Sequence, residues 1–148
     1  MVSLEIEIRE ILYGSSDYDL EVGLRSKILR EPLGLRLLPE ELARETEDIH
    51  LGALSGLKLI GCLILSPQDQ KIMKMRQVAV DSEAQGLGIG RKLIQHAEEK
   101  SKQLGFVEIN LNARTGAIPF YQKLGYELYG KAFEEVTIPH QKMRKKIS

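Results

Sequence analysis

Three glycines alternate in five residues, Gly86-Leu87-Gly88-Ile89-Gly90, between an apolar strand-like run and a helix-like run. Glycine loses more backbone freedom on folding than any other residue, so such a cluster marks a close approach to the backbone or a left-handed turn. The preceding run KIMKMRQVAVD reads as a strand. The following run, from about Gly88 to Leu104, carries Leu93, Ile94, Ala97, Ser101 and Leu104 on one face, with Gly105 as its stop. A strand, a glycine loop and a helix start present free N–H groups and the positive end of a helix dipole to an anion, such as a phosphate or pyrophosphate.

The rest of the chain surrounds this loop with alternating elements. LEIEIREIL has Leu4, Ile6 and Ile8 on one side, and its period of two predicts a half-buried strand. In SSDYDLEVGLRSKILREP, Ser15, Ser16 and Asp17 are cap candidates. Leu20, Leu24 and Ile28 predict the packing face, and Pro32 the stop. LPEELARE predicts a short helix with proline near its start. DIHLGALSG and KLIGCLILS predict two central strands around Ser55-Gly56. FVEINLNAR is again strand, with Val107, Ile109 and Leu111 on one face. GAIPFYQKLG is a short helix, and YELYGKAFEE and VTIPHQKMRKKI close the chain as strands. The order β-α-α-β-β-β-α-β-α-β-β, with hairpins and one crossover, predicts an α/β (α+β) fold on a mixed sheet. A length of 148 residues suits a single domain, 1–148.

Composition removes several functions. Lys plus Arg and Asp plus Glu number 21 each, so no basic excess points to nucleic acid. There is no tryptophan, and one cysteine, Cys62, which reads as a core residue rather than a disulfide or a metal ligand. No metal is expected. No signal-like segment and no apolar run of roughly 20 residues is present, which leaves a cytoplasmic protein with no membrane contact as the expectation.

Phosphate motifs narrow the loop further. A P-loop needs lysine and then serine or threonine after its last glycine, whereas Gly90 is followed by Arg91, Lys92 and Leu93. A dinucleotide fingerprint needs its third glycine where Arg91 stands. The pattern Gln-x-x-Gly-x-Gly is filled by Gln85 to Gly90. On these residues QVAVDSEAQGLGIGRKLI resembles the acyl-CoA-binding motif of GNAT-type N-acetyltransferases, and NARTGAIPFYQKLGYELYG resembles the family's next motif. ILREPLGL and IPHQKM are similar to a branch of small, mostly uncharacterised bacterial members.

The resemblance implies a mostly antiparallel central sheet of about seven strands, splayed at the fourth and fifth. It implies acetyl transfer from acetyl-CoA to a primary amine of a small molecule or protein. Backbone N–H groups of Gln85, Gly86, Leu87, Gly88, Ile89 and Gly90, with Arg91, would hold the pyrophosphate. The strand edge Gln77, Val78, Ala79 and Val80 would hold the pantetheine arm, and an N–H near Val78 the oxyanion. Tyr121 would protonate the leaving thiolate. The base candidates are His140, Glu108 or a water chain, because Lys74 stands where some members place a glutamate. Arg25, Arg30 and Arg114 are candidates for an acidic group of the acceptor, Arg114 standing where many relatives have asparagine. His50 and His96 read as ordinary surface or flank residues, and strand-end pairing would allow a homodimer. The competing reading is a non-catalytic acyl-CoA sensor or interaction module. A nucleotide binder of another fold is more distant.

Overall fold

A computed structural model describes residues 5–135 and 137–148; Leu4 and Val136, which sequence reasoning placed in strands, lie outside the described residues. Among the described residues there are seven strands, in sheet order β1-β2-β3-β4-β5-β7-β6. They are β1 (Glu7–Ile11), β2 (Ile49–Ser55), β3 (Lys58–Pro67), β4 (Ile72–Val80), β5 (Glu108–Arg114), β6 (Glu127–Glu135) and β7 (Ile138–Lys146). Four helices accompany them: α1 (Ser16–Arg25), α2 (Pro39–Ala43), α3 (Ile89–Gln103) and α4 (Ile118–Lys123). The β1–β2, β2–β3, β5–β7 and β6–β7 pairs are antiparallel, and β4–β5 is parallel. The mixed, mostly antiparallel sheet and the order of elements therefore stand as the sequence predicted. The chain divides into two compact units, one formed by residues up to Ser66 with Gln77–Ala97, the other by Pro67–Arg76 with Glu98–Ser148.

In the first unit the central strands β2 and β3 are buried along almost their whole length, which explains their unbroken apolar sequence. Cys62, Leu63, Ile64 and Leu65 are fully buried, and each large aliphatic side chain contributes roughly 1.5–3 kcal/mol. Gly61 on β3 sits under the start of α3: a Cβ there would lie 2.9 Å from both Ile89 Cγ2 and Leu93 Cδ1. The helix thus packs directly against β3 backbone.

α1 begins where Ser15 Oγ accepts the Tyr18 N–H at 3.1 Å, a cap of about 1 kcal/mol. Its buried face is only in part the stripe that the spacing predicts: Leu24 is buried and Ile28 packs against the core, but Leu20 does not. Leu20 is 46% exposed, and the buried residues are Tyr18, Glu21, Leu24 and Arg25. The charged pair is admitted to the interior because it is matched there. The stop also differs. After α1 the backbone widens into one π-helical turn, Ser26–Arg30, then tightens into Glu31–Leu33, and Gly34 ends it at φ +71°. Pro32 is accommodated because it falls in the first turn of that short segment, where its missing N–H has no intrahelical partner to lose.

In the second unit, β4 and β5 pair in register only from Ile72↔Glu108 to Met75↔Leu111. β5 continues against β7 as far as Arg114↔His140. Ile109 and Leu111 are buried as expected, whereas Val107 lies before the strand and is 38% exposed. Tyr126 donates from its hydroxyl to Glu98 Oε2 at 2.9 Å. Lys145 Nζ reaches both Glu98 oxygens, at 3.1 and 3.2 Å, and the Leu124 carbonyl at 2.8 Å. This knot fastens the end of α3, the turn after α4 and β7 to one another. Among the described residues no helix is long and apolar enough to cross a membrane.

Candidate active site

In the first unit the glycine loop is built from both sides. Asp81 closes β4: its N–H donates to the Ile60 carbonyl at 2.8 Å, and its Oδ1 accepts the Glu83 N–H at 3.0 Å. Buried Ala84 and Ile89 pin the two ends of the loop, while residues 85–88 between them are exposed. Gly86 and Gly88 adopt φ of +86° and +77°, and a Cβ on either would meet nothing within 4 Å. These two glycines are therefore required by backbone conformation, and the space over them is open. Gly90 lies inside α3 and is not left-handed. The Lys92 N–H bonds to the Gly88 carbonyl at 3.1 Å, so the N–H groups just ahead of Lys92 have no intrahelical acceptor. Arg91 is exposed on the same first turn. Left-handed glycines, free helical N–H groups and an adjacent guanidinium form a cradle suited to a pyrophosphate.

β4 is irregular just before this loop. Gln77 has φ +55°, a left-handed conformation that a side-chain-bearing residue adopts at a cost of order 1–3 kcal/mol. A left-handed residue in a strand turns the following amide away from the regular ladder, and here that amide belongs to Val78. The Gln77 Oε1 is buried with no hydrogen-bond partner. Ala79 is buried and Val78 and Val80 are partly so.

The same unit places Arg25 and His50 where sequence reasoning did not. Arg25 is 0% exposed. Its Nη1 contacts Glu21 Oε2 at 2.9 Å and Glu45 Oε1 at 2.8 Å, and its Nη2 contacts Glu45 Oε2 at 2.6 Å. It is neither on a solvated face nor presented to an acceptor. His50, expected at the surface, is 1% exposed and bound between Glu21 and the Glu45 carbonyl. Glu21, Glu45 and His50 offer ligand atoms within 4.8 Å of one another, but the Arg25 guanidinium is already hydrogen-bonded to both carboxylates. Arg30 is also buried, with Nη2 3.5 Å from Glu41 Oε2.

In the second unit Tyr121 lies on α4, buried, with its ring tilted against Phe120 at 5.2 Å and Tyr126 at 5.9 Å. Its carbonyl accepts the Leu124 and Tyr126 N–H groups at 3.0 and 3.1 Å. Burial pushes its phenol up to about 12, and among the described residues its hydroxyl has no hydrogen-bond partner. Phe120 beside it is 40% exposed. His140 on β7 is buried, stacked on Phe133 at 5.8 Å. Its Nδ1 donates to the Ile138 carbonyl at 2.9 Å, and its Nε2 lies 3.9 Å from Glu135 Oε2. Lys74 stands opposite Asn110 in the β4–β5 register, and Arg114 opposite His140.

Sequence reasoning missed Asp81, Gly61 and the left-handed Gln77. A lone glycine inside an apolar strand signals a close approach, and an aspartate two residues before a turn N–H signals a local cap. Nothing in the local sequence announces the Gln77 conformation.

Comparison with known proteins bears on the same segments. The family model for the acetyltransferase (GNAT) domain matches residues 30–147. The uncharacterized protein YyaT of Bacillus subtilis (strain 168) is 35% identical over 75 residues, 51% of each chain, so the match spans about half of that relative. The uncharacterized N-acetyltransferase YjcF of the same organism is 31% identical over 107 residues, 72% of this chain and 74% of its own. Among solved structures, a Lactobacillus plantarum protein described as a putative N-acetyltransferase superposes with a TM-score of 0.87. It is 23% identical, and the match covers 97% of this chain and 99% of that one.

Proposed function

Because this chain belongs to the GNAT acetyltransferase family, we propose that it moves an acetyl group from acetyl-CoA to a primary amine by direct attack in a ternary complex. The observation that carries this reading is the open space over Gly86 and Gly88, where a Cβ would meet nothing within 4 Å, at the start of α3, whose first N–H groups lack an intrahelical acceptor. In this reading the N–H groups of Gln85 to Gly90 and the Arg91 side chain bind the pyrophosphate. The edge residues Gln77 to Val80 bind the pantetheine arm by main-chain pairing. The thioester supplies an activated acetyl group when bound.

The remaining roles fall to this chain's own side chains. The Val78 N–H, turned out of the ladder by Gln77, stabilises the developing oxyanion, an effect of about 3 kcal/mol. Tyr121 donates a proton to the departing thiolate; its raised affinity for that proton keeps it loaded at neutral pH. An amine with an ordinary value of about 10.4 must lose a proton before attack, and we assign its removal to His140 Nε2, on a ring oriented by the Nδ1 bond to the Ile138 carbonyl. Arg114, half-buried on β5, is the cationic side chain we assign to an acidic group on the acceptor; Arg30, buried and paired with Glu41, would have to leave that carboxylate to do the same.

A second reading, an acyl-CoA sensor without turnover, is favoured by one observation: Lys74, not a carboxylate, faces Asn110 on β4. Two measurements decide between them. Calorimetry with coenzyme A tests the cradle, and release of free thiol from acetyl-CoA over a panel of primary amines tests the chemistry. Coenzyme A binding with no thiol release on any amine would support the sensor. Absence of coenzyme A binding would sink both.

A further inference from the structure

The ion cluster in the first unit does no work in the reaction just proposed, yet it buries Glu21, Arg25, Glu45 and His50 together with the Tyr18 hydroxyl. Its geometry fixes the protonation of His50. Nδ1 lies 2.9 Å from the Glu21 carboxylate, and Nε2 lies 3.1 Å from the Glu45 carbonyl. Both partners are acceptors only, so both ring nitrogens must carry hydrogen. With that proton present, two carboxylates face one guanidinium and one imidazolium. Without it, the cluster holds a net negative charge in the interior and His50 turns a lone pair toward an acceptor, which burial penalises heavily.

The cluster also has a particular place in the chain. Arg25 is the last residue before the segment Ser26–Arg44, and Glu45 is the first residue after it. The bidentate Arg25–Glu45 pair, at 2.8 and 2.6 Å, therefore closes the mouth of this segment. Tyr18 donates to Glu45 Oε1 at 2.9 Å, and His50 holds the Glu45 backbone from β2. We propose that His50 is carried as a buried imidazolium and is a positioning residue that locks both ends of the segment Ser26–Arg44.

Every group facing His50 belongs to this lock or is inert to it. Tyr18, Glu21 and Arg25 face it from α1, Glu45 from the chain after α2, and the Tyr13 ring at 6.4 Å from the chain after β1. On β3 its register partner is Ile64, and on β1 it is Ile11, both apolar. The nearby Cys62 thiol is pushed far up by burial and stays neutral. Burial alone would strip the His50 proton, but the Glu21 carboxylate outweighs it and raises His50 above the ordinary imidazole value.

A consequence for acceptor binding rests on the proposed function, since Arg30 lies in this segment; the lock itself does not. The test is nitrogen-15 spectroscopy of the histidine rings in the full chain, assigned with His50→Gln, together with amide hydrogen exchange. We expect both His50 nitrogens to show imidazolium shifts at pH 7. Amides of Ser26–Arg44 should exchange at least tenfold faster, beyond the rise in β3 amides over the same pH range, once that proton is lost. A neutral His50 at pH 7 overturns the proposal, and so does an increase shared equally by Leu63–Leu65. If His50→Gln fails to fold, the wild-type titration still decides. None of these readouts needs acetyl-CoA, so failure of the lock and failure of coenzyme A binding are separate results.

Discussion

Gly61 of β3 and Ile89 of α3 compete for one space: a Cβ on Gly61 would lie 2.9 Å from Ile89 Cγ2. The branched Ile89 side chain has little freedom to retreat, and Leu93 Cδ1 stands at the same distance. Gly61→Ala should therefore cost about 1–3 kcal/mol by overpacking, read as a lower Tm. Because Ile89 also pins the glycine loop, the same variant should weaken coenzyme A binding. A stable variant with unchanged affinity would show that the helix start does not set the cradle.

Gly88→Ala separates conformation from crowding. Nothing in the protein meets the new Cβ, but φ of +77° disfavours it, by roughly 1–2 kcal/mol. The loss in coenzyme A affinity should be larger than the loss in stability, more than tenfold by calorimetry, since the added methyl enters the space assigned to the pyrophosphate. Equal affinity would remove this loop from cofactor binding.

Tyr121→Phe should lower turnover about 100-fold or more, within the range for loss of a general acid, and leave coenzyme A affinity within about twofold. The sign of its pH effect also follows. Its proton affinity is raised to about 12, so Tyr121 stays protonated through the neutral range and produces no alkaline fall below about pH 10. A wild-type decline in kcat centred near pH 8 would assign that step to another group.

Arg25→Met should be among the most damaging substitutions in the chain. It would leave two buried carboxylates, Glu21 and Glu45, facing the His50 imidazolium alone, a loss of about 3–5 kcal/mol. Replacing Glu21, Arg25, Glu45 and His50 together with Leu, Met, Leu and Leu should recover much of it, because all four charges of the cluster then leave together. Urea melts of the two variants check this. Recovery of nothing would mean that the cluster stabilises by hydrogen bonding that apolar packing cannot replace.

The pH dependence of stability should carry a His50 signature. A group whose affinity for a proton is raised in the folded state contributes fully below its unfolded value, about 6.5, and loses that contribution as pH rises through its folded value. Tm should therefore fall on the alkaline side of neutrality in the wild type and stay flatter in His50→Gln. Parallel slopes in the two proteins would count against a charged His50.

Much of this architecture was readable from sequence because it is written in local patterns. The loop glycines, Ser15, Pro39 and the apolar runs of β2 and β3 each act within a few residues. The α1 face was partly misread, for the opposite reason. Counting apolar residues selects Leu20 and rejects Glu21 and Arg25, yet Glu21 and Arg25 are buried because Glu45 and His50, about twenty or more positions away, complete their charge. His50 was placed at the surface because a single histidine gives no sign of its distant partners. Gln77 escaped notice because a left-handed strand residue other than glycine has no composition signal. Of the candidate site, the turn at Gly86 and Gly88 ahead of α3 was legible and the surroundings of Tyr121 and His140 were not.

The Arg25–Glu45 closure has a bearing on how this protein can diversify. A stretch whose two ends are tied at one point hangs from the fold as a replaceable cartridge. Its length enters stability only weakly, about 0.6 kcal/mol for each doubling, so the exposed residues between Ser26 and Arg44 can be exchanged, lengthened or reshaped while the clasp, and Ile28 and Leu29 packed on the core, stay put. In any such exchange the part to leave untouched is the clasp itself.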